Sequence, residues 1–404
     1  KASAGDSNKV CTVDILPFLL LCLSFDLPGR MCTEDFETFC EGIVGNKSIE
    51  KLKIYCCTLF GGEIFNMLRP FFEQNINLRC LTVGFEGGRP TVLYLLSEAL
   101  SRFNTLREFE CYEGPLSDIE VEIIVQALAG HSGMTNICLS RDRCFGPSEV
   151  KVGGRGMAAL SALLTDPNSS LVELKLRGCS LVDDTALILV AALAGNSTLR
   201  ELDLGENYSM TNTGWSAIFA QLQSPQSSLE KLLLARNSID DVAANVLAGV
   251  MTSNTHLKVL DLGASEGISI YTEGWRAVFD ALQSPRCLLQ ELHLGVGNGL
   301  RFGNEDVAYL SSSLVNNCML RHLDVSMSDG IGWGAFSAVL QNPNSALEKV
   351  NLRFNNINAD ILASFANSLT HNNKLKDFFL DDNVIEDAGW KSLSNTLCNK
   401  SSIN

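Results

Sequence analysis

The segment that decides the fold is Leu199-Arg-Glu-Leu-Asp-Leu204, in which apolar residues occupy positions one, four and six. Nearly the same hexad returns as Leu257-Lys-Val-Leu-Asp-Leu262 and as Leu347-Glu-Lys-Val-Asn-Leu352. Such alternation is the period of a half-buried β-strand. Along the whole chain the pattern recurs at a mean separation of about 30 residues. It opens at Ile49, Leu78, Leu106, Met134, Leu171, Leu199, Leu229, Leu257, Leu289, Leu320, Leu347 and Leu375.

Each hexad is followed by a stretch with the period of a helix. From Ile239 to Val250, apolar residues recur three and four positions apart, and Asp240 is the predicted N-cap. The predicted apolar stripe consists of Val242, Ala243, Val246, Leu247 and Val250. One short strand and one helix per unit predict an α/β solenoid of about 12–13 repeats, with a concave parallel sheet and convex helices.

An asparagine follows several hexads at a fixed position, where its side chain can bond the backbone that leaves the strand. These residues are Asn207, Asn237, Asn355 and Asn383. With the hexads and the unit length, they make residues 20 to 397 resemble leucine-rich-repeat proteins of the ribonuclease-inhibitor-like subclass. The resemblance implies a horseshoe whose concave sheet binds other proteins, although a fold by itself does not establish a function.

A second period, twice as long, shows that two kinds of unit alternate. Gly-Trp pairs occur at 214–215, 274–275, 332–333 and 389–390. Prolines with the same spacing are expected just after helix ends, because proline cannot continue a helix. They are Pro167, Pro225, Pro285 and Pro343. We predict that the tryptophans wedge between neighbouring repeats.

The predicted domain organisation is one continuous solenoid over residues 49–404, preceded by an N-terminal segment, 1–48, with a degenerate capping repeat. The 37-residue interval between Met134 and Leu171 predicts an insertion near 141–155. The apolar run Ile15–Leu23 is shorter than the roughly 20 residues that a membrane-spanning helix needs, so no membrane insertion is predicted.

Composition narrows the class of partner and the compartment. The 404 residues carry a net charge of −15, which argues against nucleic acid and anionic lipid as partners. Fourteen cysteines at irregular spacing, without a Cys-x-x-Cys pair, favour reduced thiols in an intracellular and cytoplasmic protein. Only five histidines are available for acid–base or metal chemistry.

Hexad positions three and five face outward on the predicted concave sheet, so they are the candidate protein-binding residues. An excess of carboxylates there would attract a basic protein partner. The alternative interpretation is that they are ordinary solvated residues of an acidic chain. The predicted concave contacts are Glu173, Lys175, Glu201, Asp203, Asp261, Glu291, His293, His322 and Asp324.

Neighbouring strands lie about 4.8 Å apart, which would place Glu291 beside His322 and His293 beside Asp324. A zinc site or an acid–base pair is one interpretation of such a group. We favour interface residues, because no thiolate joins them and cross-strand pairs of this kind are common without chemistry. No catalytic, cofactor-binding or metal-binding residue is predicted.

The longer turns after some hexads predict a rim of apolar and aromatic residues on one edge of the sheet. Tyr208, Tyr271 and Phe302 are the predicted rim contacts with a protein partner. Met210, Ile268, Ile270 and Leu300 belong to the same turns. The alternative is that these side chains pack against their own loops.

The sequence contains no phosphate-binding Gly-x-x-x-x-Gly-Lys motif. We therefore predict a non-enzymatic protein-binding or scaffold protein without a cofactor. The alternative hypothesis is a regulator of an enzyme, similar to a GTPase-activating protein or to an inhibitor.

Overall fold

The computed structural model describes residues 22–26, 33–56, 63–75, 77–85, 90–101, 104–112, 116–140, 150–263, 270–295, 303–327, 332–370 and 372–401. Across these ranges, strands and helices alternate along the chain. The strands form one parallel sheet of thirteen strands whose spatial order is the chain order. This architecture confirms the predicted solenoid.

The strands of the described ranges shorten from five or six residues in the first units to three in the later ones. They are β1 Cys22–Asp26, β2 Lys51–Cys56, β3 Cys80–Phe85, β4 Glu108–Tyr112, β5 Asn136–Ser140, β6 Glu173–Lys175, β7 Glu201–Asp203, β8 Lys231–Leu233, β9 Val259–Asp261, β10 Glu291–His293, β11 His322–Asp324, β12 Lys349–Asn351 and β13 Asp377–Phe379.

One helix follows each strand and covers the back of the sheet. The helices are α1 Thr33–Ile43, α2 Glu63–Gln74, α3 Pro90–Leu100, α4 Asp118–Leu128, α5 Gly154–Thr165, α6 Asp183–Gly195, α7 Asn212–Leu222, α8 Asp241–Ser253, α9 Thr272–Gln283, α10 Asn304–Val315, α11 Ser337–Gln341, α12 Ala359–Leu369 and α13 Asp387–Ser401. A 3-10 turn, Gly332–Phe336, precedes α11. The four prolines predicted to follow helix ends do so after α5, α7, α9 and α11.

The fourth hexad residue of each unit forms the central row of the core. Leu202, Leu232 and Leu260 lie side by side on consecutive strands and are fully buried. Each buried leucine stabilises the fold by about 1.5–3 kcal/mol relative to an exposed one. The hexad therefore forms a strand because alternate residues reach a continuous core that is shared with the next repeat.

Asparagines after the hexads bond the backbone that leaves the strand, as predicted, and they also bond the preceding repeat. The Nδ2 group of Asn207 donates to the carbonyl oxygens of Leu176 and Leu204, at 3.0 and 2.9 Å. Its Oδ1 accepts the N–H groups of Cys179 and Leu181, both at 3.1 Å. One fully buried side chain thus satisfies four backbone groups of two neighbouring units.

A second row of buried amides lies at the other end of the strands and was not predicted from the sequence. The Nδ2 group of Asn254 donates to the Leu222 carbonyl at 2.9 Å, while its Oδ1 accepts the Leu257 N–H at 2.9 Å. His131 takes this place in its own unit, where Nε2 lies 2.9 Å from the Leu100 carbonyl oxygen. The amides of this row are Asn75, Asn196, Asn254, Asn317 and Asn372.

Contacts between consecutive helices explain why two kinds of unit alternate. The Asp183 carboxylate on α6 accepts the N–H groups of Thr211 at 2.8 Å and Gly214 at 3.2 Å, so it caps the start of α7. A Cβ atom on Gly214 would lie 2.6 Å from Asp183 Oδ1. The glycine of the Gly-Trp pair is therefore required by the approach of the capping carboxylate. The equivalent pairs are Asp118 with Gly156 and Asp241 with Gly274.

Three of the four tryptophans are buried in the core, which is compatible with the prediction that they wedge between repeats. Trp215, Trp275 and Trp333 are buried, whereas Trp390 is 46% exposed and borders a hollow of about 600 Å³ with Leu393 and Leu397. The prediction was wrong for Trp390, because no described repeat covers the outer side of α13.

The predicted details of α8 are partly correct. Asp240 is the N-cap, since its carboxylate accepts the Ala243 N–H at 3.0 Å. Val242 does not belong to the apolar stripe, because it is 59% exposed at the outer side of the first turn. Of the predicted insertion, residues 141–149 lie outside the described ranges. Val150 and Val152 are buried beside the start of α5.

Candidate protein-binding surface

The predicted concave residues fall into two straight rows across the sheet. The first row, at hexad position three, runs through Glu173, Glu201, Lys231, Val259, Glu291, His322 and Lys349. The second, at position five, runs through Lys175, Asp203, Leu233, Asp261, His293, Asp324 and Asn351. Parallel pairing without a slip brings every predicted concave residue onto one face.

Lysines neutralise much of the acidity over β6 to β8. The Lys175 ammonium contacts the carboxylates of Glu173 and Glu201, the latter at 3.6 Å, and Lys231 lies 3.1 Å from Glu201. Burial lowers the pKa of Lys175, but its hydrogen bond and charge contact with Glu173, together with Glu201, outweigh burial and raise it overall. This part of the surface is an alternating network of charges and is not an acidic strip.

The aspartates of the second row have a structural role. Oδ1 of Asp203, Asp261 and Asp324 accepts the N–H group two residues later, at 2.8, 2.7 and 3.0 Å. Such a bond closes a turn at the end of the strand. Asp324 also accepts the side-chain amide of Asn351 at 2.9 Å through Oδ2. These carboxylates therefore shape the edge of the sheet besides carrying charge.

The prediction that Asp203 is an exposed charge on the concave face was wrong. It is only 6% exposed, and burial raises the pKa of its carboxyl group, while the Gly205 N–H and the charges of Arg177 and Lys175 oppose that shift. Asp261 and Asp324 remain half-buried.

The strand register places Glu291 beside His322 and His293 beside Asp324, as predicted, but both histidines contact Glu291. His322 Nδ1 lies 3.1 Å from one oxygen of Glu291, and His293 Nε2 lies 3.7 Å from the other. All three side chains are half-exposed. Among the described residues, no group of three or more histidine, cysteine, aspartate or glutamate side chains has an arrangement that would hold a metal ion.

An apolar centre lies between the charged parts of the surface and was missed at the sequence level. Leu233 and Val259 occupy the two rows on adjacent strands and are half-exposed. Asp261 lies directly beside Leu233, and Glu291 lies directly beside Val259. The sequence did contain a signal for this apolar centre, because an apolar residue at an outward hexad position interrupts the polar pattern. We call Leu233, Val259, Asp261 and Glu291 the central patch.

The predicted rim divides into exposed and buried residues. Tyr208 is 47% exposed and Tyr271 is 71% exposed, so both are open to a partner. Met210 and Ile270 are buried in the hydrophobic core and are closed to a partner. The predicted contact Phe302 lies outside the described residues, as do Ile268 and Leu300.

The C-terminal end of the face has a different character. Phe379 on β13 lies beneath two cations, Lys349 at 5.5 Å and Arg353 at 4.7 Å from the ring centroid. Arg353 also pairs with Asp381 at 2.5 Å, which lowers the pKa of that carboxyl group. Two cations therefore lie over an aromatic ring at this end of the sheet.

Comparisons with known proteins agree with this architecture. Residues 195–219 match the family model described as Leucine Rich repeat. The chain is 29% identical over 288 residues to NACHT, LRR and PYD domains-containing protein 12 of Homo sapiens, covering 70% of this chain and 25% of that protein. It is 26% identical over 301 residues to ribonuclease inhibitor of Mus musculus, covering 74% of this chain and 62% of the inhibitor. The chain thus spans about a quarter of the first relative's length.

A chain in the solved structure "Crystal structure of Rad7 and Elc1 complex in yeast" aligns with 81% of this chain and 84% of its own length, at 12% identity and a TM-score of 0.40. The repeat register, the family model and the two relatives define the class. The chain forms a leucine-rich-repeat solenoid and is similar to proteins of the ribonuclease-inhibitor-like subclass. Within the described ranges, no helix has the length and apolarity needed to cross a bilayer.

Proposed function

We propose that this chain is a non-enzymatic protein that binds a protein partner through the concave sheet and its rim. Leucine-rich-repeat relatives support protein–protein interaction at the level of the family. The two rows of side chains are held by ion pairs and by hydrogen bonds to turns. A surface held in this way loses little side-chain freedom on binding.

The central patch is the observation that carries the proposal. It places two half-exposed apolar side chains, Leu233 and Val259, next to two carboxylates, Asp261 and Glu291. Apolar anchors surrounded by polar groups are typical of interface centres. The partner that this patch fits presents an apolar side chain flanked by lysine or arginine.

A charge-reversal experiment tests the central patch. The double variant Val259→Lys, Glu291→Lys changes two side chains that face each other on β9 and β10. The matched control, Glu305→Lys with Ala308→Lys, makes the same change of net charge at exposed positions on the outer helix α10. Proteins captured from native extract by wild type and both variants are compared by quantitative mass spectrometry.

We expect a partner that wild type and the outer-helix control retain equally and that the central-patch variant loses by about tenfold or more. Equal retention by all three proteins would remove the central patch from the binding surface. If the retained partner is an enzyme, its turnover with and without the chain decides between binding alone and regulation.

We also propose that the protein works in a reducing, intracellular compartment. Six buried cysteines of the described ranges and the exposed Cys318 carry free thiols. Burial raises the pKa of Cys40 to about 12 and that of Cys138 to about 11, which keeps both thiols protonated and unreactive. Alkylation of the native protein without reductant, followed by mass spectrometry, should modify the exposed Cys318 and Cys398 and show no disulfides.

A further inference from the structure

Exposed apolar side chains are concentrated on one edge of the solenoid, where each strand leads into its helix. Among the described residues, twelve large apolar side chains are exposed, and seven of them lie between the end of a strand and the second residue of the following helix. Four of these seven belong to consecutive repeats. They are Val182, Tyr208, Val242 and Tyr271, which are 41, 47, 59 and 71% exposed. We call these four residues the apolar edge, and it contains both exposed tyrosines of the predicted rim.

Hydrogen bonds hold the four turns of the apolar edge side by side. The Leu181 N–H donates to Asn207 Oδ1 at 3.1 Å, and the Asn207 N–H donates to Asn237 Oδ1 at 2.7 Å. The Tyr271 N–H donates to Asp241 Oδ1 at 2.7 Å, which joins the last two turns. The four exposed side chains are therefore carried by a connected backbone, so little order has to be gained when a partner binds.

The same four turns carry an excess of negative charge. They span residues 176–184, 204–213, 234–242 and 270–273. Together they contain six carboxylates and two arginines, which leaves a net charge of −4. One of the arginines, Arg177, is already paired with Glu206 at 2.9 Å. Asp184 and Glu273 are exposed two residues after the first and the last member of the edge. A partner that fits this edge has apolar side chains flanked by lysine or arginine.

Charge and width decide which partner fits the apolar edge. Nucleic acid, an anionic lipid surface and a second copy of this acidic chain would each bring further negative charge to it. The edge offers one large apolar side chain per repeat. Its row is about 14–30 Å long, because neighbouring units lie about 4.8 Å apart at the strands and about 8–10 Å apart at the helices. An amphipathic helix presents a row of matching width, since residues three and four positions apart lie about 5–6 Å from each other.

We propose that the apolar edge binds an amphipathic helix of a protein partner, with lysine or arginine on both sides of the apolar stripe of that helix. A helix of about 18 residues is about 27 Å long and spans the four repeats. This inference deepens the proposed function and rests on it, because the helix belongs to the protein that the concave sheet binds. It adds the form and the chemistry of one segment of that partner.

A synthetic peptide is the probe, so the test does not require the native partner. The peptide has about 18 residues, with leucines three and four positions apart and lysines at the other positions. A control peptide has alanine in place of every leucine, which keeps the charge and the helix propensity. Fluorescence anisotropy of the labelled peptides measures their binding to the full chain.

The edge variant is Val242→Lys with Tyr271→Lys. Both side chains are exposed, so the fold does not depend on them. The charge-matched control, Tyr94→Lys with Ala191→Lys, makes the same change of net charge at exposed positions on α3 and in the second half of α6. The central-patch variant is measured in parallel, and circular dichroism verifies that all the variants are folded.

We expect wild type and the charge-matched control to bind the leucine peptide alike, and the edge variant to bind it about tenfold or more weakly. The alanine peptide should also bind wild type at least about tenfold less tightly, because it lacks the large apolar contacts. Absence of saturable binding up to about 100 µM, an edge variant that binds like wild type, or equal binding of the two peptides would overturn the inference.

The central-patch variant separates this inference from the proposed function. If that variant loses the leucine peptide and the edge variant retains it, the peptide binds on the concave sheet. The proposed function then stands and the inference about the apolar edge is refuted. If no peptide binds, the inference fails as well, whereas capture of a partner from native extract still decides the proposed function.

Discussion

Replacing Asn207 by alanine removes the side chain that hydrogen-bonds the loop after β6 to the loop after β7. Asn207 is fully buried, and its Oδ1 is the acceptor for the Cys179 and Leu181 N–H groups. Its Nδ2 donates to the carbonyl oxygens of Leu176 and Leu204. The alanine side chain makes none of these bonds. Water cannot replace them, because the site is fully buried.

The expected loss follows from the groups left without partners. Each buried N–H group without an acceptor costs about 1–3 kcal/mol, so the two donors together cost about 4 kcal/mol. The two carbonyl groups add less, because each carbonyl oxygen tolerates an unused lone pair better than an N–H group tolerates a missing acceptor. Against a typical total stability of about 5–15 kcal/mol, this is a large fraction.

Urea unfolding followed by circular dichroism measures the change. Asn245→Ala is the matched control, because Asn245 is exposed and makes a single bond within its own helix, to the Asp241 carbonyl at 2.7 Å. The control should change the free energy of unfolding by about 0.5 kcal/mol or less. A loss of less than about 1 kcal/mol for Asn207→Ala would refute the reasoning that these four bonds are irreplaceable.

Two further predictions concern contacts between neighbouring repeats. Gly214→Ala should destabilise the protein by about 1–3 kcal/mol in the same assay, since its Cβ would lie 2.6 Å from Asp183 Oδ1. Gly195→Ala is the control and should leave the stability unchanged, because a Cβ there meets no atom within 4 Å. Equal losses of stability in the two variants would contradict the capping role of Asp183. Burial lowers the pKa of His131, and this effect outweighs the hydrogen bond to the Leu100 carbonyl, which raises it. The folded state therefore favours the neutral ring. Its stabilising contribution is complete above the unfolded pKa of about 6.5 and is lost as the pH falls below it. His131→Asn should therefore reduce the drop in melting temperature between about pH 7.5 and pH 5, and an unchanged drop would contradict this.

Periodicity predicted most of the fold because the core repeats with the sequence. Leu202 and Leu232 occupy the same hexad position and lie side by side on adjacent strands. The role of Gly214 could not be predicted, because it depends on which side chain of the preceding repeat approaches it. That side chain, Asp183, is 31 residues earlier in the chain. Only the structure brings the two residues together.

The candidate surface was predicted less completely, for a similar reason. Hexad positions three and five were assigned correctly to the concave face, but the environment of each residue depends on neighbouring strands. Asp203 and Asp261 occupy the same hexad position, yet Asp203 is buried and Asp261 is half-exposed. The half-exposed Leu233, which lies between them, was not among the predicted contacts although it belongs to the central patch.

The distribution of charge also sets the salt dependence expected of binding. Lys175 and Lys231 already neutralise Glu173 and Glu201, so those carboxylates offer little attraction to a basic partner. In this part of the face, the carboxylates without a neighbouring cation are concentrated near Asp261. Attraction between solvent-exposed charges is screened beyond about 8 Å at physiological salt. A partner bound at the central patch should therefore lose affinity only modestly when salt is raised, because apolar contact with Leu233 and Val259 supplies most of the binding energy. Measured affinity that falls steeply with salt would place the partner elsewhere on this acidic molecule.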